Sequence, residues 1–546
     1  MQITLYTVPL LTLVLLTICV AVVAEPIVVG YYPSWKRAKM EGIDFKKYTH
    51  VNIAFGIPHK DGSFTFEDEW ALPQILQQIR TNGNDNAKAL LSVGGWTGSN
   101  LFSDILKNND SRTRLLNSMA DYVKNNGLDG IDIDWEYPGR LGNACNVFDA
   151  QNDTPNFLTF LHDLRDKFDS QFGEQKKLIT LAVRVQPFDT PSGPSSDVSE
   201  FAKYVDFTNV MAYDIGGPWN SETGANAPFN YEQGKGTPLS FVSSIDAWTN
   251  AGWPANQLVA GLGFYGRSSV ALQDMIKDAS NQYQSQSHDV PLGDSEDAPW
   301  YDTCAKTTSN SGTWQWRNLR SQGVLVNKTT AVAPWVRQWD PVTQTPWLFN
   351  PNTKIFLSYD DPDSIKIKSD YAASRGLAGV MIWSANMDFN SELVDAARSF
   401  GREGSNDNSS TSGSSAPAST SSSPASTSSK PKNIKTKTTK TSTNTQTTTS
   451  TSSGITSSTT STTSGQAEET PSDNGLLPGK PCSDYGKYMC VDPNGRNMAY
   501  LVCIGTWQQA SCAQGTVCLS LNKSIICGWP TFKHLIFGID SALKIF

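Results

Sequence analysis

Apolar and polar positions alternate regularly from residue 26 to about residue 402. Short apolar runs rich in β-branched residues are separated by longer stretches with helical periodicity, as in residues 112–125 and 154–172. Such short runs predict β-strands. Eight strands are predicted: Ile27–Tyr32, His50–Phe55, Ala89–Val93, Gly130–Trp135, Leu178–Val183, Phe207–Tyr213, Leu258–Gly263 and Gly379–Trp383. This alternation predicts an α/β protein, a (β/α)8 TIM barrel over residues 25–402.

The interval between the last two predicted strands is too long for a single helix. Residues from about 268 to 375 include six tryptophans and the strand-like segment Ile355–Tyr359. This composition predicts a small α+β insertion between strands seven and eight. In such a barrel the insertion would rise from the C-terminal face of the strands, where active sites lie.

The first 24 residues have the composition of an export signal. An apolar stretch runs from Leu10 to Ala24, and Val22 and Ala24 are small enough for a signal peptidase. We expect a signal peptide over residues 1–24, secretion to the extracellular space or cell wall, and no membrane attachment after cleavage. The N-terminus lacks Lys and Arg, and a membrane anchor is the alternative because the stretch is nearly long enough to span a bilayer. The strand predicted from Ile27 leaves no stalk for such an anchor.

Beyond the predicted barrel the composition changes. Ser and Thr make up more than half of residues 403–478, with scattered Pro, Lys and Gly, and the segment has too little apolar surface to offset the entropy cost of ordering. In a secreted protein they predict a disordered, O-glycosylated linker. N-glycosylation sequons, compatible with secretion, begin at Asn109, Asn152, Asn327, Asn408 and Asn522. Residues 479–530 form a predicted cysteine-rich module, and residues 531–546 are left unassigned.

The cysteines fall into two groups. The chain has 9 cysteines, and one of them, Cys19, would leave with the signal. Six predict a disulfide framework in the C-terminal module: Cys482, Cys490, Cys503, Cys512, Cys518 and Cys527. A zinc cluster is disfavoured because no C-x-x-C pair occurs there and the only nearby histidine is His534. We predict a bond between Cys145, after strand four, and Cys304, in the insertion; two separate thiols are the alternative.

The charge balance narrows the class of partner. The chain has 44 Lys and Arg residues against 52 Asp and Glu residues, a net charge of -8. An acidic protein repels phosphate backbones, so nucleic acid is a poor candidate partner. An uncharged polymer is compatible with this charge. No metal or cofactor is expected, and we expect a monomer.

The fourth predicted strand carries the most informative pattern. Side chains alternate along a strand, so Asp132, Asp134 and Glu136 share one face, which points into the barrel at the end open to substrate. Two charges 4 Å apart repel by about 4 kcal/mol at an effective dielectric of 20, about three pKa units. We therefore expect a proton to stay in the row near neutral pH, with Glu136 placed to transfer it.

Three alternatives compete with a catalytic row. A surface acidic strand would have to bury Ile131, Ile133 and Trp135 on its other face. A calcium loop is disfavoured because the glycine and spacing of an EF-hand are missing. A Ser-His-Asp hydrolase is disfavoured because the chain has no G-x-S-x-G motif and its five histidines form no obvious constellation.

The acidic strand and four other short motifs of the chain resemble those of family-18 glycoside hydrolases, the family that includes chitinases. Residues 129–136 resemble the D-G-x-D-x-D-x-E signature of that family. Residues 92–96 resemble its S-x-G-G motif on strand three, and residues 211–214 its M-x-Y-D motif on strand six. Residues 265–268 and the strand-eight Trp383 also match. The five motifs keep the family order and together cover about residues 27 to 390.

The resemblance implies a secreted chitinase with a particular division of roles. Glu136 would protonate the glycosidic oxygen, Asp134 would turn between Glu136 and the acetamido N–H, and Asp132 would share its proton. Tyr213 would hold the acetamido oxygen of the substrate, which would itself attack the anomeric carbon and lead to retention. From spacing alone, Asp214 on another strand remains open as a nucleophile.

Aromatic side chains are the remaining candidates in the catalytic domain, since their rings can stack on the apolar faces of sugars. The resemblance places six in a cleft for chitin and chito-oligosaccharides: Tyr31, Trp35, Phe55, Trp96, Trp219 and Trp383. Trp383 would floor the subsite of the distorted sugar. The matched motifs add Met211, Asp214, Tyr265 and Arg267 as substrate-binding candidates. A core position is the alternative for each aromatic residue.

The C-terminal module resembles a small chitin-binding module of fungal chitinases, in residues 486–491 and 513–518. Tyr488 and Trp507 are the candidates for ring stacking there, with a role in the minimal core as the alternative.

Two other functions remain possible for the whole chain. One is a chitinase-like lectin that binds chitin without cleavage, although Glu136 favours catalysis. The other is an endo-β-N-acetylglucosaminidase acting on N-glycans.

Overall fold

The computed structural model describes residues 25–400 except Asn82 and Thr303, and the backbone of five C-terminal segments: 488–490, 499–503, 507–511, 517–521 and 524–528. The predicted signal peptide, linker and tail lie outside the described residues. So do the side chains of the predicted C-terminal module, including those of Tyr488 and Trp507. No helix among the described residues is long and apolar enough to cross a membrane.

Eight parallel strands form a closed barrel, which confirms the predicted architecture. They are β1 (Ile27–Pro33), β2 (His50–Pro58), β3 (Lys88–Gly94), β4 (Gly130–Asp134), β5 (Leu178–Val183), β6 (Phe207–Val210), β7 (Leu258–Gly263) and β8 (Gly379–Trp383). Each strand pairs with the next, and β1 pairs with both β2 and β8. The strands are rich in Val, Ile and Leu because both of their faces are buried.

Two strands end earlier than the sequence predicts. β4 ends at Asp134 instead of Trp135, and β6 ends at Val210 instead of Tyr213. The apolar run misleads because residues after β6 stay packed: Ala212 is buried, and Met211 lies against the barrel interior. The segment from Met211 to Asp214 is therefore a loop at the mouth of the barrel.

Helices cover the outside of the barrel, but only in part. The helices of the described residues are α1 (Leu72–Arg80), α2 (Phe102–Lys107), α3 (Asn109–Asn126), α4 (Asp153–Phe172), α5 (Phe241–Asn250), α6 (Trp316–Ser321), α7 (Pro362–Ser374) and α8 (Glu392–Ala397), and of these α6 belongs to the insertion. α3 begins where the Asn108 side chain accepts two backbone N–H groups, and it ends at Gly127 with φ 62°. The connections β1–β2 and β5–β6 contain 3-10 turns (Ser34–Gly42, Phe45–Lys47 and Phe201–Lys203) in place of an α-helix.

The predicted α+β insertion has different bounds. Its five-stranded antiparallel sheet has the order Thr313–Gln315, Tyr265–Val270, Ile355–Ser358, Thr345–Asn350 and Val336–Asp340, and α6 follows its edge strand. It therefore occupies residues 265–358 instead of about 268–375. The following helix α7 packs on β7 and β8 and belongs to the barrel. Its start at Pro362 is fixed by a capping box between Asp361 and Ser364.

Two smaller hairpins and the C-terminal strands complete the described elements. Phe64–Phe66 extends β2 in the antiparallel sense, Asp189–Thr190 pairs with Gly193–Pro194, and Trp300–Asp302 pairs with Thr307–Ser309. In the C-terminal unit, Tyr488–Cys490, Ala499–Cys503 and Trp507–Ser511 form one antiparallel sheet. Val517–Leu521 and Ser524–Gly528 form a separate hairpin.

Candidate active site

The barrel interior contains a buried polar layer around Asp132. Asp132 on β4 lies in register with Ser92 on β3 and Thr180 on β5. Residues in register on neighbouring strands point to the same side, so all three side chains enter the barrel. Their positions place small hydroxyl groups beside a buried acid.

Asp132 accepts hydrogen bonds from four donors. Oδ2 is 2.7 Å from the hydroxyls of Tyr31 and Ser92, and Oδ1 is 2.6 Å from Thr180 Oγ1 and 3.4 Å from Asn209 Nδ2. Burial raises the pKa of Asp132, and these hydrogen bonds oppose the rise. The sequence predicted repulsion between carboxylates as the main cause, whereas desolvation in the closed barrel is the larger one.

Asp134 lies nearer the mouth and is buried with one oxygen, Oδ1, that has no hydrogen-bond partner in the structure. Its pKa is raised well above the ordinary value, first by burial and then by the charges of Glu136 and Asp132. A buried unpaired carboxylate is costly, so the protonated form is favoured. Asp134 thus lies between the two other acids, and its environment favours the protonated form.

Glu136 follows the end of β4 and is half-buried. Burial raises its pKa to about 7, a hydrogen bond with Tyr137 opposes the rise, and the charge of Asp214 adds to it. A carboxyl group with this pKa can be protonated near neutral pH and still give up its proton, which is the requirement for a general acid. The predicted row therefore ends, at its open side, in a carboxyl group whose pKa suits a general acid.

The backbone that carries the acids is held by residues that the sequence analysis did not single out. Buried Ser99 accepts the Glu136 N–H at 2.9 Å and donates to the Asp134 carbonyl at 3.0 Å. Asn146 Nδ2 donates to the Glu136 carbonyl at 2.6 Å. Neither contact leaves a signal in the sequence, because Ser99 and Asn146 lie in loops 37 and 10 residues along the chain from Glu136, with no regular spacing to it.

The predicted S-x-G-G motif now has a structural explanation. Gly94 has φ 116°, and a Cβ there would lie 2.1 Å from the Asp134 carbonyl oxygen. Gly95 has φ 78°, and a Cβ there would lie 2.7 Å from the Phe55 ring. Glycine is required at both positions because the chain turns tightly against the acidic strand and the cleft.

On the opposite side, Asp214 forms a bidentate ion pair with Arg267, with N–O distances of 2.8 and 3.0 Å. The Tyr265 ring lies 5.2 Å from the Arg267 guanidinium and 6.1 Å from the Tyr213 ring. Burial raises the pKa of Tyr213 well above its ordinary value, so its hydroxyl remains a donor. Its contact to Met381 Sδ, at 3.7 Å, is weak enough to be exchanged for a better acceptor.

Aromatic rings form a continuous surface at the mouth. Phe55 stacks on Trp383 with ring centroids 5.8 Å apart and an interplanar angle of 14°. Trp35 lies 6.1 Å from Phe55, and Tyr31 lies 5.6 Å below Trp383. Met211 packs in the same apolar cluster. This arrangement can bind the apolar face of a sugar ring.

The aromatic residues predicted to bind substrate differ in their solvent exposure. The exposed fractions of Trp35, Trp96 and Trp219 are 55%, 46% and 51%, large for tryptophan on a folded domain, which favours a binding role over a core role. Tyr31 and Tyr265 are buried instead. Neighbouring side chains cover both rings, so neither presents an exposed ring face, and the predicted role of these two residues in substrate binding stays a prediction.

Cys145 and Cys304 are bonded to each other, with their Cα atoms 4.9 Å apart, within the range that a disulfide requires. Cys145 lies in the loop after β4, and Cys304 lies in the turn of the insertion hairpin. The bond therefore connects two loops at the C-terminal face of the barrel.

The mouth of this TIM barrel combines a protonatable carboxyl group, two buried acids behind it and an aromatic cleft. This combination is typical of the active sites of glycoside hydrolases. Residues 27–388 match the family described as Glycosyl hydrolases family 18. The chain therefore belongs to this family.

Named relatives agree with that assignment. A "chitinase-like effector" of Moniliophthora roreri is 34% identical over 388 residues, which are 68% of this chain and 91% of that protein. "Chitinase A1" of Niallia circulans is 29% identical over 428 residues, 67% of this chain and 57% of that protein. The crystal structure of a chitinase from Rhizomucor miehei has 35% identity and a TM-score of 0.63, and covers 69% of this chain and 100% of its own.

Proposed function

We propose that the protein is a chitinase that hydrolyses the β-1,4 linkages between N-acetylglucosamine units with retention. The observation that carries this proposal is Glu136, whose pKa is raised to about 7 at the mouth of an aromatic cleft, with Asp134 behind it. The Trp383 floor and the exposed Trp35, Trp96 and Trp219 supply surfaces for several sugar rings.

In the proposed reaction the Glu136 carboxyl protonates the leaving glycosidic oxygen. The acetamido oxygen of the bound sugar attacks the anomeric carbon, and Tyr213, kept protonated by burial, donates a hydrogen bond to that oxygen. Asp134 accepts the acetamido N–H and passes its own proton toward Asp132. The Glu136 carboxylate then activates the water that opens the cyclic intermediate, which restores the acid and gives the β-anomer.

Related structures support a glycan ligand. A Group IV chitinase of Ostrinia furnacalis, solved in complex with allosamidin, is 27% identical with a TM-score of 0.57, and covers 68% of this chain and 98% of its own. We infer by extension that chitin and chito-oligosaccharides bind in the cleft of this chain.

A second candidate is binding without cleavage, because two relatives carry the name "chitinase-like effector", which does not state hydrolysis. The presence of Glu136 favours hydrolysis. An endo-β-N-acetylglucosaminidase acting on N-glycans is the third candidate.

One experiment separates the three functions. The full chain is incubated with colloidal chitin and, in parallel, with an N-glycosylated protein, and soluble oligosaccharides are measured. Soluble chito-oligosaccharides from chitin, absent with Glu136→Gln, support the chitinase. Binding without release supports the lectin, and release from the glycoprotein alone supports the third candidate.

Activity should depend on pH through Glu136. The acid must be protonated to act, and its pKa in the ligand-free protein is raised to about 7, so kcat/KM should be retained below pH 7 and lost as the pH rises through it. The charge of Asp214 is one cause of that raised pKa. Asp214→Asn should therefore move the alkaline limb of the kcat/KM profile to lower pH.

The matched control is Asp166→Asn, which removes an exposed carboxylate of α4 on the outside of the barrel. Its pH profile should superimpose on that of the original protein. If Asp214→Asn leaves the alkaline limb of the pH profile where it is, a group other than Glu136 determines that limb.

We further propose that the protein is secreted and that its C-terminal module tethers the barrel to chitin. Truncation after Phe400 should leave activity on soluble oligosaccharides unchanged and lower activity on insoluble chitin, because tethering raises the local enzyme concentration. Initial rates on both substrates measure the effect. Equal loss on the two would show that the C-terminal part is needed by the barrel itself.

A further inference from the structure

The loop after β4 comes back to the residue at which it begins. Residues 142–147, which we call the return loop, lie against the backbone carbonyl of Glu136. Asn146 Nδ2 donates a hydrogen bond to that carbonyl oxygen at 2.6 Å. A Cβ added to Gly142 would lie 2.0 Å from the same oxygen, so the return loop packs too closely for a larger side chain at this position.

The two peptide groups that flank the Glu136 Cα are both held by side chains. On one side Ser99 Oγ accepts the Glu136 N–H at 2.9 Å, and on the other side Asn146 donates to the Glu136 carbonyl. The backbone angles of a residue determine the direction in which its side chain leaves the chain. These two hydrogen bonds therefore fix the direction of the Glu136 side chain.

The two loops that supply these side chains are bonded to each other. The Val147 N–H donates to the Asn100 carbonyl at 3.1 Å, one residue beyond Asn146 and Ser99. Within the return loop, the Asn146 N–H donates to the Asn143 carbonyl at 2.9 Å. The two loops therefore form one support for the backbone of the acid.

The return loop is also anchored covalently. Cys145, next to Asn146, is bonded to Cys304 of the insertion, and the two Cα atoms are 4.9 Å apart. Loops are in general the more mobile parts of a fold. The disulfide limits the movement of Cys145 and thereby the movement of the adjacent amide.

The chemistry of Asn146 suits positioning better than packing. A carbonyl oxygen only accepts, so the amide nitrogen must face Glu136. The Asn146 side chain is buried, and its Oδ1 has no hydrogen-bond partner among the described residues. A buried amide that is bonded on one side alone adds little to stability. Its contribution is therefore the placement of the carbonyl that it holds.

We propose that Asn146, kept in place by the Cys145–Cys304 bond, is a positioning residue that holds the Glu136 carboxyl where it can protonate the leaving oxygen. This inference rests on the proposed chitinase function. Because Asn146 acts through Glu136 and not on the substrate, its loss should lower kcat and leave KM nearly unchanged.

Asn146→Asp and Asn146→Ala test the hydrogen bond on chitohexaose. Aspartate has nearly the shape of asparagine but directs a carboxylate oxygen, which cannot donate, at the carbonyl. Alanine removes the donor without adding a charge. A misplacement of about 1 Å costs up to about 10²-fold in rate, so kcat should fall by about 10–10²-fold in both variants. Thermal unfolding shows whether each variant is folded.

The matched control is Asn126→Asp. Asn126 Nδ2 donates to the Tyr122 carbonyl at 3.1 Å, the same kind of bond, at the end of α3 on the outside of the barrel. Its kcat and KM on chitohexaose should equal those of the original protein.

A second substrate distinguishes a misplaced acid from general damage. 4-Methylumbelliferyl chitobioside releases an acidic phenol, which leaves with little help from a general acid. Both Asn146 variants should therefore keep a larger fraction of the original kcat on this substrate than on chitohexaose. Damage to the cleft would lower both activities by the same factor.

The disulfide is tested by a double-mutant cycle. Cys145→Ser/Cys304→Ser should lower kcat on chitohexaose, again with a smaller loss on the phenol substrate. If the bond acts through Asn146, opening it in the Asn146→Ala background should cost little more. Mild reduction of the folded original protein opens the same bond and replaces the serine variant if that variant does not fold.

Three results would count against these assignments. Normal kcat in folded Asn146→Ala, or an equal loss on both substrates, would overturn the positioning role. Losses that multiply in the double-mutant cycle would overturn the part assigned to the disulfide. No hydrolysis of either substrate by the original protein would instead overturn the chitinase function on which the proposal rests.

Discussion

Glu136→Gln should lower kcat on chito-oligosaccharides by about 10²–10⁴-fold, the range that a positioned general acid contributes. An amide has nearly the shape of the acid but no proton to transfer to the leaving oxygen. The hydrogen bonds that fix the backbone of residue 136 come from Ser99 and Asn146 and do not involve the replaced side chain. Binding should therefore be retained.

Initial rates on chitohexaose measure the first effect, and calorimetric titration with the same oligosaccharide measures the second. Glu392→Gln is a matched control, because Glu392 forms an ion pair with Arg320 away from the acidic row. Near-normal turnover by Glu136→Gln would assign the acid to another residue. Loss of binding together with turnover would mean that the substitution disturbed the cleft.

The sequence alone predicts the barrel well because its signals are local. Each strand is a short β-branched run, and the acidic motif places its three carboxylates on one side of one strand. The closed order of β1 to β8 agrees with that prediction. The bounds of the insertion were less predictable. The sequence pattern of α7 is like that of the other helices, and only its packing on β7 and β8 assigns it to the barrel.

The electrostatics of the site could be predicted only in direction. Spacing along β4 shows that Asp132 and Asp134 are close, which suggests repulsion. It does not show the four donors around Asp132, which come from four other strands, nor the extent of burial. Burial is the larger cause of the raised pKa in all three acids. Long-range contacts of this kind exist only after the barrel closes.

The aromatic residues show the same limit. Tyr31 and Trp35 are four residues apart, and both fit a cleft by their position after or within β1. Folding buries Tyr31 beneath Trp383 and directs its hydroxyl to Asp132, whereas Trp35 stays exposed beside Phe55. Sequence position therefore cannot distinguish a ring that faces substrate from a ring that supports it. The distinction depends on which neighbouring side chains cover each ring.

Fully deacetylated chitosan should not be cut, although its backbone is the same as that of chitin. If the acetamido oxygen is the nucleophile, the sugar on Trp383 must carry it. Well-oriented intramolecular groups have very high effective molarities, so removal of this group should cost on the order of 10³-fold or more in kcat. Tyr213 would at the same time lose its acceptor, whereas the free amine would still offer Asp134 an N–H donor. Product release from chitosans of graded acetylation measures the effect.

The alternative nucleophile is a protein carboxylate, and Asp214 is the candidate. Both mechanisms retain the anomeric configuration, so the anomer of the product cannot separate them. The structure places Asp214 in a bidentate ion pair with Arg267, and this pairing occupies the oxygens that would attack. The deacetylated polymer loses the nucleophile under the first mechanism and only binding contacts under the second. Appreciable turnover of fully deacetylated chitosan would therefore reject the substrate-assisted mechanism and leave Glu136 as the acid.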